Sequence, residues 1–277
     1  MTRKTGLVLG VVFAAVAIAI VFAFSTSGER YDMAEPLEVE YLDRMKDVST
    51  AETEFSTLPS GQRQLTIRHE VIEGVTPEMI LWWFHNFPTR TVTIEGEDVP
   101  WYRLWHPRDH IVVVIRERGD PDVPGISEGA NVVIHERVGG KYQPFDGHVA
   151  ALDAAGIHLV AAIGGARIGN LRHTFTAVEG GTLYESKLIL GVDVPVVRVL
   201  ANAVVRNFVM TDEQAKGWFI HNVEEVGNFQ FFLPDLYAEH HGNWGSMGPG
   251  RPAQLASTPR PSAWEDDPDA SNNAYLR

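Results

Sequence analysis

The chain has 277 residues, a formal net charge of −13, 44% hydrophobic residues and no cysteine. The acidic balance argues against a nucleic-acid partner, which calls for a basic surface. The missing cysteines exclude a disulfide framework, a thiolate metal site and a cysteine nucleophile. Setting aside an apolar N-terminal segment and a polar tail leaves roughly 200 residues, enough for one domain with a sizeable core.

In chain order, Arg3 and Lys4 precede an uncharged run from Gly6 to Phe24. A helix rising 1.5 Å per residue needs about 20 such residues to span a bilayer. The run leaves through "VFAFSTSG", a poor cleavage signal. Residues 1–25 are therefore expected to form a single membrane anchor, with a cleaved signal segment as the alternative. The basic flank stays cytoplasmic, which places the rest of the chain outside. Residues 26–60 are polar and mixed and read as a linker and N-terminal extension.

"LTIRHEVIEG" is strand-like. "TPEMILWWFHNF" is a short aromatic helix, with Thr76 as cap, Pro77 at the first helical position and Pro88 closing it. Next come "HIVVVIRER", "NVVIHERV", "GIHLVAAIG", "GNLRHTFTAVEGG" and "TLYESKLILG", each bounded by Gly, Pro or Asp. "VEGGTL" is a two-residue hairpin turn, with positive φ expected at Gly180 and Gly181. The strands do not alternate with long helices, which excludes a doubly wound parallel sheet. From Pro195 the pattern turns helical as far as Phe232, with a cap at Thr211 or Asp212 that divides it into two helices. Residues 243–277 are rich in Pro, Gly, Ser and Asn and read as a disordered tail. This order predicts an α+β fold: a curved, mostly antiparallel sheet gripping a long C-terminal helix, with a ligand cavity between them.

The chemistry gathers in "GWFIHNVEEVGNFQFF", residues 217–232. His221 and Glu225 are four apart and share a helix face. Glu224 is rotated away from Glu225 and is expected to face solvent. A histidine–glutamate pair on a helix is most often a surface ion pair. Trp218, Phe219, Ile220, Val223 and Val226, however, predict a largely buried helix, and a buried carboxylate beside an imidazole requires a partner such as a metal ion. Further ligands are available at His106 in "WYRLWHPRDHI" and at either His135 or Glu136 in "NVVIHERV", which point to opposite strand faces. Tyr102 and Asp109 bracket His106 and could reach a substrate. Trp82, Trp83, Phe84 and Trp218 read as core. His69, His85, His110, His148 and His158 read as structural.

"YRLWHPRDHI", then "HER" about thirty residues on, then "HNVEEVGNF" in a late helix resembles the 2,4-diacetylphloroglucinol hydrolase family over residues 63–235. The resemblance implies a Bet v 1-like helix-grip domain over residues 61–242. It implies a Zn2+ ion held by His106, Glu136, His221 and Glu225, which selects Glu136 over His135. It also implies hydrolysis of a carbon–carbon bond between an acyl group and a phenolic ring. The family carries a histidine near His173, whose strand face it shares with Leu171 and Phe175, and has tyrosines near its metal. His173 and Tyr102 are therefore the candidate catalytic residues, and a small acylated aromatic the candidate partner. The competing reading is a membrane-tethered carrier of a hydrophobic small molecule on the same fold. Two imidazoles and two carboxylates together favour the enzyme.

Overall fold

The computed structural model describes Tyr31 and residues 35–94, 96–163, 166–195 and 197–241. The expected anchor over residues 1–25 and the tail over 243–277 lie outside the described residues. Among the described residues, no helix is long and apolar enough to cross a membrane.

Eleven strands form: β1 (Glu52–Thr57), β2 (Arg63–Arg68), β3 (Ile72–Glu73), β4 (Thr91–Ile94), β5 (Glu97–Pro100), β6 (His110–Glu117), β7 (Asn131–Val138), β8 (Lys141–Asp153), β9 (Gly156–Ile163), β10 (Ala166–Val178) and β11 (Gly181–Leu190). The main sheet runs β1-β2-β11-β10-β9-β8-β7-β6, with β3 also paired to β11 and β4-β5 as a separate ribbon. Every pairing is antiparallel. Among the described residues, four α-helices accompany the sheet: α1 (Pro77–Asn86), α2 (Tyr102–Trp105), α3 (Arg198–Val204) and α4 (Asp212–His240). A π-helical turn at Val205–Val209 separates α3 from α4.

The α+β expectation of a mostly antiparallel sheet with a long C-terminal helix holds. Thr76 caps α1, its hydroxyl accepting from the Met79 amide at 3.3 Å. Thr211 caps α4 in the same way, through the Gln214 amide at 3.2 Å. The long helix runs past Pro234 to His240, because its aromatic face stays packed: Tyr237 meets Trp82 edge-on at 5.3 Å.

Two glycines let α4 seat on the sheet. A Cβ at Gly217 would come within 2.5 Å of the Gly139 Cα, and Gly139 turns the β7–β8 hairpin at φ +58°. The hairpin between β10 and β11 corrects one expectation. Only Gly180 has positive φ there. Gly181 begins β11, where a Cβ would meet the Ile72 carbonyl oxygen at 2.0 Å, so its small size serves the pairing with β3.

Within the expected linker and extension over residues 26–60, the described residues 35–60 pack on the domain. Leu37 and Tyr41 are buried in the core, and β1 adds an edge strand to the sheet. The Tyr41 hydroxyl donates to the Leu104 carbonyl at 2.6 Å, and the Leu37 amide to the Pro107 carbonyl at 3.0 Å. This stretch therefore braces the loop that carries His106 and His110.

Candidate metal centre and cavity

A cavity of about 90 Å³ lies between sheet and helix. Its walls are mostly aromatic and aliphatic, among them Phe84, Phe87, Trp105, Phe145, Leu171 and Trp218. Tyr102, Glu136, His173, His221, Asn222 and Glu225 bring polar groups to the same space. A dry aromatic chamber with a few convergent polar groups is the usual form of a small-molecule site. Phe84 and Trp218, read from the sequence as core, thus also face the chamber.

The polar end is built by register. His110 and Glu136 are direct cross-strand partners on β6 and β7, so their side chains share a face. His221 and Glu225 come from one face of α4, one turn apart. Among these four, His110 Nε2 lies 3.2 Å from Glu225 Oε2 and 3.9 Å from Glu136 Oε2. His221 Nε2 lies 3.6 Å from Glu136 Oε2 and 3.9 Å from Glu225 Oε2. All four side chains are at least four-fifths buried.

The remaining ring nitrogens fix what these groups present. His110 Nδ1 is 2.9 Å from the Tyr102 carbonyl, which can only accept, so Nδ1 carries the proton. Its Nε2 faces two carboxylates, and this buried atom has no hydrogen-bond partner. His221 Nδ1 is 3.1 Å from Asp109 Oδ2, the arrangement by which a carboxylate orients a metal-binding imidazole. The Tyr102 hydroxyl donates to Glu136 Oε2 at 3.0 Å, and its ring stacks on His110 at 3.8 Å. Asn222 donates to Glu225 Oε1. A ring nitrogen set between buried carboxylates calls for positive charge between them, from a proton or a metal ion. The 3.2–3.9 Å donor spacings also bracket the ~3.4 Å edge of a tetrahedron with ~2.0–2.1 Å metal bonds. His110, Glu136 and His221 bring their donor atoms close enough together to hold a divalent cation, with Glu225 beside them.

Electrostatics supports the same reading. Burial pushes the His221 imidazole down, but the Glu136 carboxylate, Asp109 and Glu225 outweigh it and hold it well above its ordinary range. Burial pushes Glu136 up, and the His221 and His110 imidazoles bring it below its ordinary value. The pocket calls for positive charge at its centre.

The structure brings together Glu136, His221 and Glu225 of the four ligands expected from the resemblance. His106 stands behind His221, stacked on it at 4.6 Å. The Asp109 amide donates to His106 Nδ1 at 3.2 Å, and His106 Nε2 meets Glu224 Oε2 at 3.1 Å. The imidazole set against Glu136 and Glu225 inside the cavity is His110, four residues later. His106, Asp109 and His221 form a second grouping that could hold an ion, but it lies away from the cavity and both nitrogens of His106 are already engaged within the protein. Glu224 does not face solvent as expected; its side chain is 19% exposed and serves His106. Asp109 orients His221 instead of reaching for a substrate. Tyr102 is buried against Glu136. His135 points to the opposite face, 2.7 Å from the Tyr142 hydroxyl. His173 faces the cavity, its Nδ1 2.9 Å from Ser186 Oγ.

His110 is the residue that sequence reasoning missed. Its alternation with the rest of β6 is broken by register shifts at both ends of that strand. The available signal was its place as the first residue of an apolar strand next to the strand bearing Glu136.

The fold and site define a cavity protein of the α+β class in which buried imidazoles and carboxylates can hold a metal ion. The chain matches the DAPG hydrolase PhiG domain over residues 39–145 and 146–238. It belongs to that family, the 2,4-diacetylphloroglucinol hydrolases, and is a hydrolase acting on acylphloroglucinol-like substrates. No curated protein matches it. Among solved structures, Ara h 8.0201 is 11% identical with a TM-score of 0.39, covering 62% of this chain and 99% of its own. The KanY protein is 11% identical, TM-score 0.39, covering 68% and 99%. A START superfamily protein from Mycobacterium smegmatis is 17% identical, TM-score 0.33, covering 60% and 98%. Likeness at these scores adds nothing to the topology described above.

Proposed function

We propose that the chain is a zinc-dependent hydrolase that cleaves the carbon–carbon bond between an acyl group and a phenolic ring, with His110, Glu136, His221 and Glu225 as the metal ligands. The observation that carries this is the His110 imidazole, protonated at Nδ1 by its bond to Tyr102 and turning an orphaned Nε2 toward two carboxylates inside the cavity. Two nitrogen and two oxygen donors suit zinc. Bound there, the ion would supply Lewis acidity toward the acyl carbonyl and lower the pKa of a water.

The protein supplies the rest. Phe84, Phe87 and Trp105 offer flat apolar surface to an aromatic ring and keep bulk water from it. Asp109 holds the His221 proton on Nδ1, and the Tyr102 hydroxyl holds Glu136 in one rotamer. Once water has added to the acyl carbon, the bond to the ring breaks and the ring carries the electron pair on carbon. A proton must reach that carbon. His173 faces the cavity from β10, and burial keeps its imidazole neutral, at about 3. One ring nitrogen is taken by Ser186, and the other is assigned the role of donor.

We also propose that Gly6–Phe24 tethers this domain to a membrane on its extracytoplasmic side. Fractionation after washing with alkaline carbonate tests this: the full chain should stay with the membrane, and recovery in the wash would refute the tether. The reaction is tested by incubating the purified chain with monoacetyl- and diacetylphloroglucinol. Release of acetate in step with the deacylated ring is expected. A protein that binds these compounds without consuming them would favour the carrier reading.

A further inference from the structure

Behind His173 lies a second polar cluster that the proposed reaction does not use. Ser186 is the direct cross-strand partner of His173 and is fully buried. Its hydroxyl oxygen lies 2.9 Å from His173 Nδ1 and 3.2 Å from His69 Nε2. His69 follows β2 and is held in place by its amide, which donates to the Tyr184 carbonyl at 3.1 Å. On its far side His69 lines a small recess with Lys46 and Glu70, a pair joined by a 2.8 Å bridge in which the glutamate side chain is 53% exposed. The cluster therefore spans from the cavity, where His173 stands, to the recess beside the half-exposed Glu70.

We infer that His69, Ser186 and His173 form a proton wire that keeps His173 neutral as it protonates the leaving ring, by passing a compensating proton to its other nitrogen; this rests on the reaction proposed above. A serine hydroxyl has one proton and can accept others. Touching two imidazole nitrogens, it accepts from one and donates to the other, and the two arrangements interconvert by shifting two protons. In the first, His69 Nε2–H donates to Ser186 Oγ and the Ser186 O–H donates to His173 Nδ1, so that His173 Nε2 carries a proton toward the cavity.

The step balances as follows. His173 Nε2 gives its proton to the ring carbon, whose electron pair forms the new C–H bond. His173 Nδ1 takes the Ser186 proton, Ser186 takes the His69 Nε2 proton, and His69 Nδ1 takes one from water in the recess, which leaves hydroxide there until the reverse shifts return that proton. One proton has moved from solvent to the ring. No imidazole becomes an ion at the end, and Ser186 is again a hydroxyl. The arrangement returns when His173 Nε2 takes up a proton from water entering the emptied cavity and the same shifts run backwards. Burial favours the neutral rings that such a wire needs, holding both His69 and His173 at about 3.

The test uses the full chain with diacetylphloroglucinol as probe. Ser186→Ala should lower kcat by about 10²-fold, within the range general-acid catalysis supplies, with KM within about twofold. It should also change the solvent deuterium isotope effect on kcat. His69→Gly opens space beside the recess. Imidazole should restore turnover there, and 1-methylimidazole, of similar bulk with only one nitrogen able to exchange a proton, should not. Equal rescue by both would show that His69 only fills space and would overturn the wire, as would Ser186→Ala with unchanged kcat and isotope effect. If Ser186→Ala does not fold, the His69→Gly comparison decides alone. Nitrogen-15 spectra of the wild-type chain read the wire without substrate. Exchange-averaged ring-nitrogen shifts are expected at His69 and His173, and one fixed tautomer at each would overturn it. A wild-type chain with averaged shifts that leaves the probe untouched would instead sink the reaction.

Discussion

At the scale of single residues, Glu224 and Glu225 separate most sharply. They are neighbours on α4, yet Glu225 Oε2 faces His110 and Glu224 Oε2 faces His106. Glu225→Gln removes an anionic donor and is expected to abolish stoichiometric metal, whereas Glu224→Gln should retain it, as read by elemental analysis of both variants. Equal loss would mean that the centre extends to His106. Asp109→Ala removes the carboxylate that orients His221, and outer partners of this kind typically matter 10–100-fold in metal affinity. Competition against a chromogenic chelator should show that drop, and unchanged affinity would remove Asp109 from the site. Helical spacing made the His221–Glu225 pair legible, because the residues that bury it are its own neighbours. Glu136 was legible only as one of two alternatives until the family pattern chose it. His110 was not legible, because its place depends on how β6 pairs with β7, and local sequence does not encode that register.

At the scale of elements, the contact of α4 with the β7–β8 hairpin positions His221 and Glu225. Gly217→Ala would ordinarily gain about 1 kcal/mol inside a helix. Here the new methyl meets the Gly139 backbone, and overpacking costs about 1–3 kcal/mol. The variant should be destabilised by about 1 kcal/mol in urea unfolding, and a stabilised variant would show that the helix is not seated there. Sequence reading recovered α1, the division before α4 and six strands of the main sheet, where turn residues punctuate apolar runs. It missed β8, since Pro144 in "KYQPFDGHVAALD" argues against an interior strand, although Pro144 pairs with His135 in the ladder. It missed β1 because "ETEFST" is an exposed polar edge strand with little apolar alternation. Its place was set by pairing with β2 and not by its own composition.

At the scale of the whole molecule, buried histidines set an acid limit. Burial lowers His69 and His173 to about 3 and His158 to about 4. In the unfolded chain these rings titrate near 6.5, so below that pH the unfolded state binds more protons and stability falls. Urea midpoints should decline steadily as pH falls from about 6.5 to 4. A midpoint flat across that window would mean that these rings are not buried neutral.

The central claim is that His110, with Glu136, His221 and Glu225, holds one metal ion. Its most direct test is metal content by elemental analysis of the wild-type chain beside His110→Ala and His106→Ala, purified without a metal-binding tag. About one zinc per chain in the wild type and in His106→Ala, with almost none in His110→Ala, is the expected result. Full zinc in His110→Ala together with loss in His106→Ala would move the centre to the other side of His221 and contradict the account.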